Sequence, residues 1–266
     1  MEKEIQKEHI EIRPLGSYLS VDNNGYLINP TGFEKIQVEW VPVIADVVDA
    51  YKSAYGDKLE SVYIRGSVAK GQAVPHVSDI DTFAFVDLPE ETISYEWLKE
   101  TKKILREKYP FVEGYEFGAD PLSHFEKETF LLTQSLCVFG ESKEIPKLRP
   151  GKDMLRHLSV LEKRMKWFEE KIENETEPGE LQKACVWFMK NTLRAGFELT
   201  MERSQRYTRD LYLCYKDFSE YYSEYEAEMR QVLDYALNPT SDKNKIMEIK
   251  NKLVPWMIRE REVQGL

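Results

Sequence analysis

The apolar positions of the chain change their period partway along. Up to about residue 140 they come in short runs set off by glycine, proline and acidic turns, and beyond residue 153 they recur at three and four. In the first part, Trp40, Val43, Ile44, Val47, Val48 and Tyr51 share one face of a helix over roughly 33–55, introduced by Pro30-Thr-Gly and stopped at Gly56. Leu59–Arg65 and Ile80–Val86 predict two strands. The second is apolar on both faces at Phe83-Ala-Phe-Val, as in a strand at the centre of a sheet. Ile93, Trp97, Ile104 and Leu105 predict a helix over 93–109, ended by Pro110, that covers this sheet. A third strand is expected over 111–117, a short helix from Pro121, and a fourth strand over 130–139. Ahead of these elements, residues 1–14 read as a loosely docked arm and 17–28 as a hairpin around Asp22-Asn-Asn-Gly.

The second part predicts helices near 153–173, 178–204, 208–218, 220–237 and 242–261. Thr208 is placed as the N-cap of the third, and Ser241 or Asp242 as that of the last. Pro146, Pro150 and Gly151 mark a linker over 141–152. The expected organisation is α+β. A catalytic-type domain over 1–145, with a mixed sheet and flanking helices, precedes an all-α helical-bundle domain over 146–266.

Between the first two strands the pattern carries chemistry. Gly66-Ser67 forms a turn whose backbone N–H groups can face a phosphate, and Asp79 and Asp81, two apart at the start of the next strand, point to the same side. Two carboxylates side by side repel unless a cation lies between them. A phosphate cradle beside a divalent-metal site is the chemistry of a nucleoside triphosphate. Lys70 can add a point charge to it, or stand as a solvated turn lysine. Arg65 is set lower among the candidates because it can pair with a nearby carboxylate instead. His76 sits in the connecting loop and reads as a simple loop histidine, and the other histidines form no cluster.

Charge and composition then narrow the partners. The formal net charge of −10 argues against a polynucleotide as principal substrate, since backbone binding needs a surplus of Lys and Arg. Cys137, Cys185 and Cys214 lack metal-ligand spacing and fit reduced thiols of a cytoplasmic protein. The charged N-terminus is not expected to act as a signal peptide, and no apolar run approaches the roughly 18 residues of a membrane span.

Gly66-Ser67, eleven residues, then Asp79-Ile80-Asp81 between apolar neighbours resembles the signature of the nucleotidyltransferase superfamily related to DNA polymerase beta. In size and in its helical second half the chain is most similar to the bacterial antibiotic nucleotidyltransferases, which modify aminoglycosides or lincosamides. The resemblance implies transfer of a nucleoside monophosphate, AMP from ATP, to a hydroxyl of a small-molecule acceptor, with Mg²⁺ and release of pyrophosphate. It implies Asp79 and Asp81 as metal ligands, with Gly66, Ser67 and Lys70 at the triphosphate. It also implies a third carboxylate from a later strand, as metal ligand, as base, or both. Glu113 and Glu116 are available on 111–117, and Glu116, flanked by Tyr115 and Phe117, is the choice. In the helical half, Lys190, Arg194 and Glu198 follow at spacings of four, so Lys190 and Arg194 can meet nucleotide phosphates or Arg194 can pair with Glu198. Two other readings stay open. One is a protein acceptor, as in toxin-modifying nucleotidyltransferases. The other is a nucleotide-binding regulator without catalysis.

Overall fold

A computed structural model describes residues 9–266, so the arm expected over 1–14 lies in part, at residues 1–8, outside the described residues. The chain divides into two compact units. One is Leu27–Leu148, and the other joins Met1–Tyr26 to Arg149–Leu266. The sequence places a single boundary at 145/146, whereas contacts place divisions at 26/27 and 148/149. Hydrogen bonds explain the joining. Ser17 N–H donates to the Asp210 carboxylate at 2.8 Å, the Thr208 hydroxyl donates to Ser17 O at 2.9 Å, and Leu19 N–H donates to Tyr207 O at 2.8 Å. The Tyr18 hydroxyl donates to Asp217, which is only 1% exposed. The expected hairpin is reduced to a turn flanked by isolated bridge residues, Val21 and Leu27, and closed by Asp22 N–H to Tyr26 O, with the Asp22 side chain accepting from Asn24 and Tyr26.

In the unit Leu27–Leu148, helix α1 spans Val41–Tyr55 and buries the expected stripe of Val43, Ile44, Val47, Val48 and Tyr51. Strand β1, Leu59–Arg65, leads directly into a short helix α2, Gly66–Lys70, and β2 is Ile80–Val86. Helix α3 is Leu98–Lys108, β3 is Tyr115–Pro121, α4 is Thr129–Leu132 and β4 is Ser135–Gly140. The sheet has the order β3-β2-β1-β4, with β2–β3 parallel and the other pairs antiparallel, so it is mixed. Alternation sorts its residues. Val62, Ile64, Ile80, Ala84, Tyr115 and Ala119 join the core with α1 on one face, while Tyr63, Phe83 and Phe85 cluster apart from it with Phe125 of the segment after β3.

Two strands differ from expectation. β3 begins four residues late because 111–114 serves another purpose: Val112 N–H closes on Tyr109 O, and Glu113 N–H and Gly114 O bond Ser78 O and Ile80 N–H. Pairing starts only where Tyr115 meets Ile80. The apolar run 130–139 is split, because Thr133 N–H closes a helical turn on Thr129 O before β4 begins at Ser135.

The other unit holds α5 (Leu161–Glu173), α6 (Pro178–Glu198), α7 (Met201–Ser204), α8 (Leu211–Tyr221), α9 (Glu226–Leu237) and α10 (Lys243–Gln264). α6 is its central helix. Gly196 marks its closest approach, since a Cβ there would lie 2.7 Å from Met229 Cε and 2.9 Å from Phe218 Cδ2. The expected 178–204 helix breaks after Glu198, where Thr200 turns back to donate its N–H and hydroxyl to Phe197 O. Thr208 is not the cap of α8. Asp210 holds that position, and the Thr208 hydroxyl accepts the Asp210 N–H while donating to Ser17 O. Asp242 does cap α10, accepting from Asn244 and Lys245 N–H. The cysteines are free, and no helix among the described residues is long and apolar enough to cross a membrane.

Candidate active site

The site is assembled at one end of the β1-β2-β3 ladder. Arg65 is paired with Asp81, and Asp81 with Glu116, so adjacent strands bring the three side by side on one face. Asp79 lies just ahead of β2, separated from Asp81 by the fully buried Ile80. Asp79, Asp81 and Glu116 each bring a carboxylate oxygen within 4.8 Å of the others. Glu113 is exposed, precedes β3 and is outside this group. Of the two glutamates left open by the sequence, the ladder therefore brings Glu116 to the aspartates.

Burial and charge act together on the trio. Desolvation raises the Asp79 carboxyl above its ordinary range, and the Asp81 charge raises it further. A hydrogen bond from its own backbone and the nearby Arg65 draw it back. One Arg65 nitrogen, Nη2, lies 3.3 Å from Asp81 Oδ1 and 3.4 Å from Glu116 Oε2. Glu116 is the open member, with its side chain 60% exposed against 20% for Asp81.

Gly66 is required where it stands. Its φ is +72°, and a Cβ there would lie 2.3 Å from Asp81 Oδ2. The backbone thus passes directly over the carboxylate, with Ser67 next in the first turn of α2 and Lys70 half-buried at its end. First-turn N–H groups of a helix have no intrahelical acceptor and suit an anion. A hard divalent cation fits this donor set: three carboxylates converge, two of them partly buried, beside N–H groups suited to phosphate.

A hydrogen-bonded support lies behind the trio that the sequence pattern did not reveal. The Tyr51 hydroxyl of α1 accepts Gly118 N–H at 3.2 Å and sits 2.9 Å from Thr82 Oγ1. The Thr82 hydroxyl donates to Glu116 O at 2.8 Å. Tyr51 reads as plain core in the helical stripe. Only its register opposite β2 and β3 gives it this second use.

Lys190 and Arg194 stand on α6, in the other unit, and both are half-buried. Arg194 does not pair with Glu198. That glutamate is 4% exposed and accepts N–H bonds from Arg156, His157 and Leu158, and its Oε1 is 2.9 Å from His157 Nδ1. Arg194 Nε is buried without a hydrogen-bond acceptor among the described residues. Burial, and then the charge of Arg209, lower the Arg194 pKa.

Residues 44–132 match a family model described as a nucleotidyltransferase domain. The matched segment runs from α1 through α4 and contains Gly66, Asp79, Asp81 and Glu116, so the resemblance to the nucleotidyltransferase superfamily is borne out for the part of the chain that carries the motif. Among solved structures, the chain is similar to spectinomycin adenyltransferase AAD(9) from Enterococcus faecialis, crystallised with ATP and spectinomycin. The identity is 13% and the TM-score 0.42, covering 82% of this chain and 98% of that one. No curated protein matches the sequence significantly.

Proposed function

We propose that the protein is a metal-dependent nucleotidyltransferase that moves a nucleoside monophosphate, AMP from ATP, to a hydroxyl of a small-molecule acceptor and releases pyrophosphate. The observation that carries this reading is the convergence of Asp79, Asp81 and Glu116 beneath the Gly66-Ser67 helix start, inside the segment that matches the family model. Asp79, Asp81 and Glu116 would hold a divalent ion such as Mg²⁺. Bound there, it would neutralise triphosphate charge and favour an in-line arrangement of attacking and leaving oxygens.

The chain's own groups divide the remaining work. Gly66 keeps the backbone close enough for phosphate to meet the α2 N–H groups, and the Ser67 hydroxyl donates to a phosphate oxygen. Lys70 adds a positive charge at the end of the same helix. Glu116, the most exposed carboxylate, is placed to take the proton of the acceptor hydroxyl. The buried, acceptor-less Arg194 Nε supports an anion as its partner. The parallel role of Lys190 rests on the sequence pattern. The acceptor class, an aminoglycoside-like antibiotic, and cytoplasmic location follow the resemblance and the composition.

ATP labelled at the α-phosphate, incubated with protein, Mg²⁺ and a panel of aminoglycosides, lincosamides, proteins and RNA, tests the reading. Label should pass to a small molecule with pyrophosphate release. Asp81→Asn should reduce transfer by at least ~10³-fold while leaving the circular dichroism spectrum unchanged. No transfer of the α-label to any acceptor while γ-labelled ATP in a parallel assay passes its label on, or undiminished activity in Asp81→Asn, would refute it.

A further inference from the structure

The carboxylate trio already has a cation beside it, and that cation belongs to the chain. Arg65 ends β1, and its register partner on β2 is Asp81, whose own partner on β3 is Glu116. Partners across a ladder project to the same face, so the guanidinium shares the side on which the carboxylates converge. Its Nη2 lies between two of them, 3.3 Å from Asp81 Oδ1 and 3.4 Å from Glu116 Oε2. The Arg65 side chain is 30% exposed, so water screens the pair only in part.

The contact is serviceable but not tight. A well-formed arginine–carboxylate pair uses two nitrogens in a fork at about 2.7–2.9 Å. Here one nitrogen serves two carboxylates at longer range. Such an arrangement relieves repulsion among converging negative groups. A divalent ion, bound at shorter distances and with twice the charge, would make better use of the same oxygens.

We propose that Arg65 is a positioning residue that occupies the carboxylate site in the metal-free protein, keeping Asp81 and Glu116 convergent, and that a divalent ion must displace it to bind. This rests on reading the trio as a metal site. Arg65 then has two opposite effects. It preorganises the ligands, and it sets the apparent metal affinity below what the three carboxylates alone would give. A merely structural arginine would have the first effect only, and its loss would weaken metal binding.

The test is a Mn²⁺ titration of the full-length protein without nucleotide, with free ion followed by electron paramagnetic resonance. Arg65→Gln should bind Mn²⁺ about three- to tenfold more tightly than wild type, since a competing, partly screened ion pair is removed. Arg65→Lys, which keeps the charge, should stay within about twofold of wild type on the same grounds. Without metal, Arg65→Gln should melt below wild type, and saturating Mn²⁺ should close the gap. Arg65→Met serves as a second neutral variant should the glutamine variant not fold. Equal or weaker Mn²⁺ binding in the neutral variants would overturn the role of Arg65 while leaving the metal site standing. Absence of Mn²⁺ binding in folded wild type and folded Arg65→Gln alike would remove the metal site, and this inference with it.

Discussion

Gly66 shows how one residue can be fixed by chemistry rather than by packing. A methyl group at this position would lie 2.3 Å from Asp81 Oδ2, on a backbone with φ of +72° that side chains rarely adopt. Gly66→Ala must therefore push the carboxylate aside. We expect a stability loss of about 1–3 kcal/mol, from the strained backbone, and a much larger proportional loss of metal binding. Thermal melts set beside Mn²⁺ titration would show the disparity, and equal losses would argue against this role. His157 offers a pH test. Burial holds its imidazole below the ordinary range, Glu198 pulls it up, and the charges of Arg194 and Arg164 push it down. Because the folded value lies below the unfolded one of about 6.5, stability is present above that pH and is lost as pH falls through the lower folded value. His157→Gln should flatten the fall in melting temperature between neutral and mildly acidic pH. An unchanged slope would contradict it. At this scale the sequence is informative where a residue type has few uses. The glycine and the paired aspartates are legible, whereas Arg65 and Tyr51 are ordinary residues whose second role comes from register.

Among the elements, β3 decides whether the site is complete, because it carries Glu116. It is an edge strand, and tyrosine hydroxyls meet its backbone: Tyr51 at Gly118, and Tyr95 at Ala119. Tyr51→Phe leaves Gly118 N–H and Thr82 without that partner and should cost about 1–3 kcal/mol. It should also weaken Mn²⁺ binding by loosening Glu116. Tyr95→Phe removes an analogous bond three residues beyond Glu116 and should leave metal binding unchanged. Parallel titrations check the contrast, and equal effects would deny Tyr51 a special place. The helix α1 and strands β1 and β2 are legible from apolar periodicity, since each buries the stripe that its pattern presents. The start of β3 is not. Phe111 and Val112 look like strand residues, but their segment closes a turn on Tyr109 and meets Ser78 and Ile80 through Glu113 and Gly114. Apolar run and strand part company again at Phe130–Leu132, which turn helical.

For the whole molecule, the α+β class and the change of texture near residue 150 can be read from the sequence, but the discontinuity of one unit cannot. Residues before Tyr26 are largely polar and give no period. The attachment of residues 9–26 depends on particular bonds, of which Tyr18 to the buried Asp217 is the most enclosed. Leu27–Leu148 is continuous and should fold when expressed alone, with Mn²⁺ binding retained. Residues 149–266 alone should melt below the same segment supplied with a peptide of residues 9–26, since Asp217 otherwise loses its donor. Calorimetry of the two preparations checks this, and identical melts would contradict it. On the proposed function, the Asp79–Asp81–Glu116 trio supports transfer of a nucleoside monophosphate. Its most direct measurement is pyrophosphate release from ATP, in the presence of Mg²⁺ and the acceptor panel, by wild type and Asp81→Asn side by side. The wild type should release pyrophosphate, and release should vanish with chelator and in the variant. Equal release by both would contradict the proposed function.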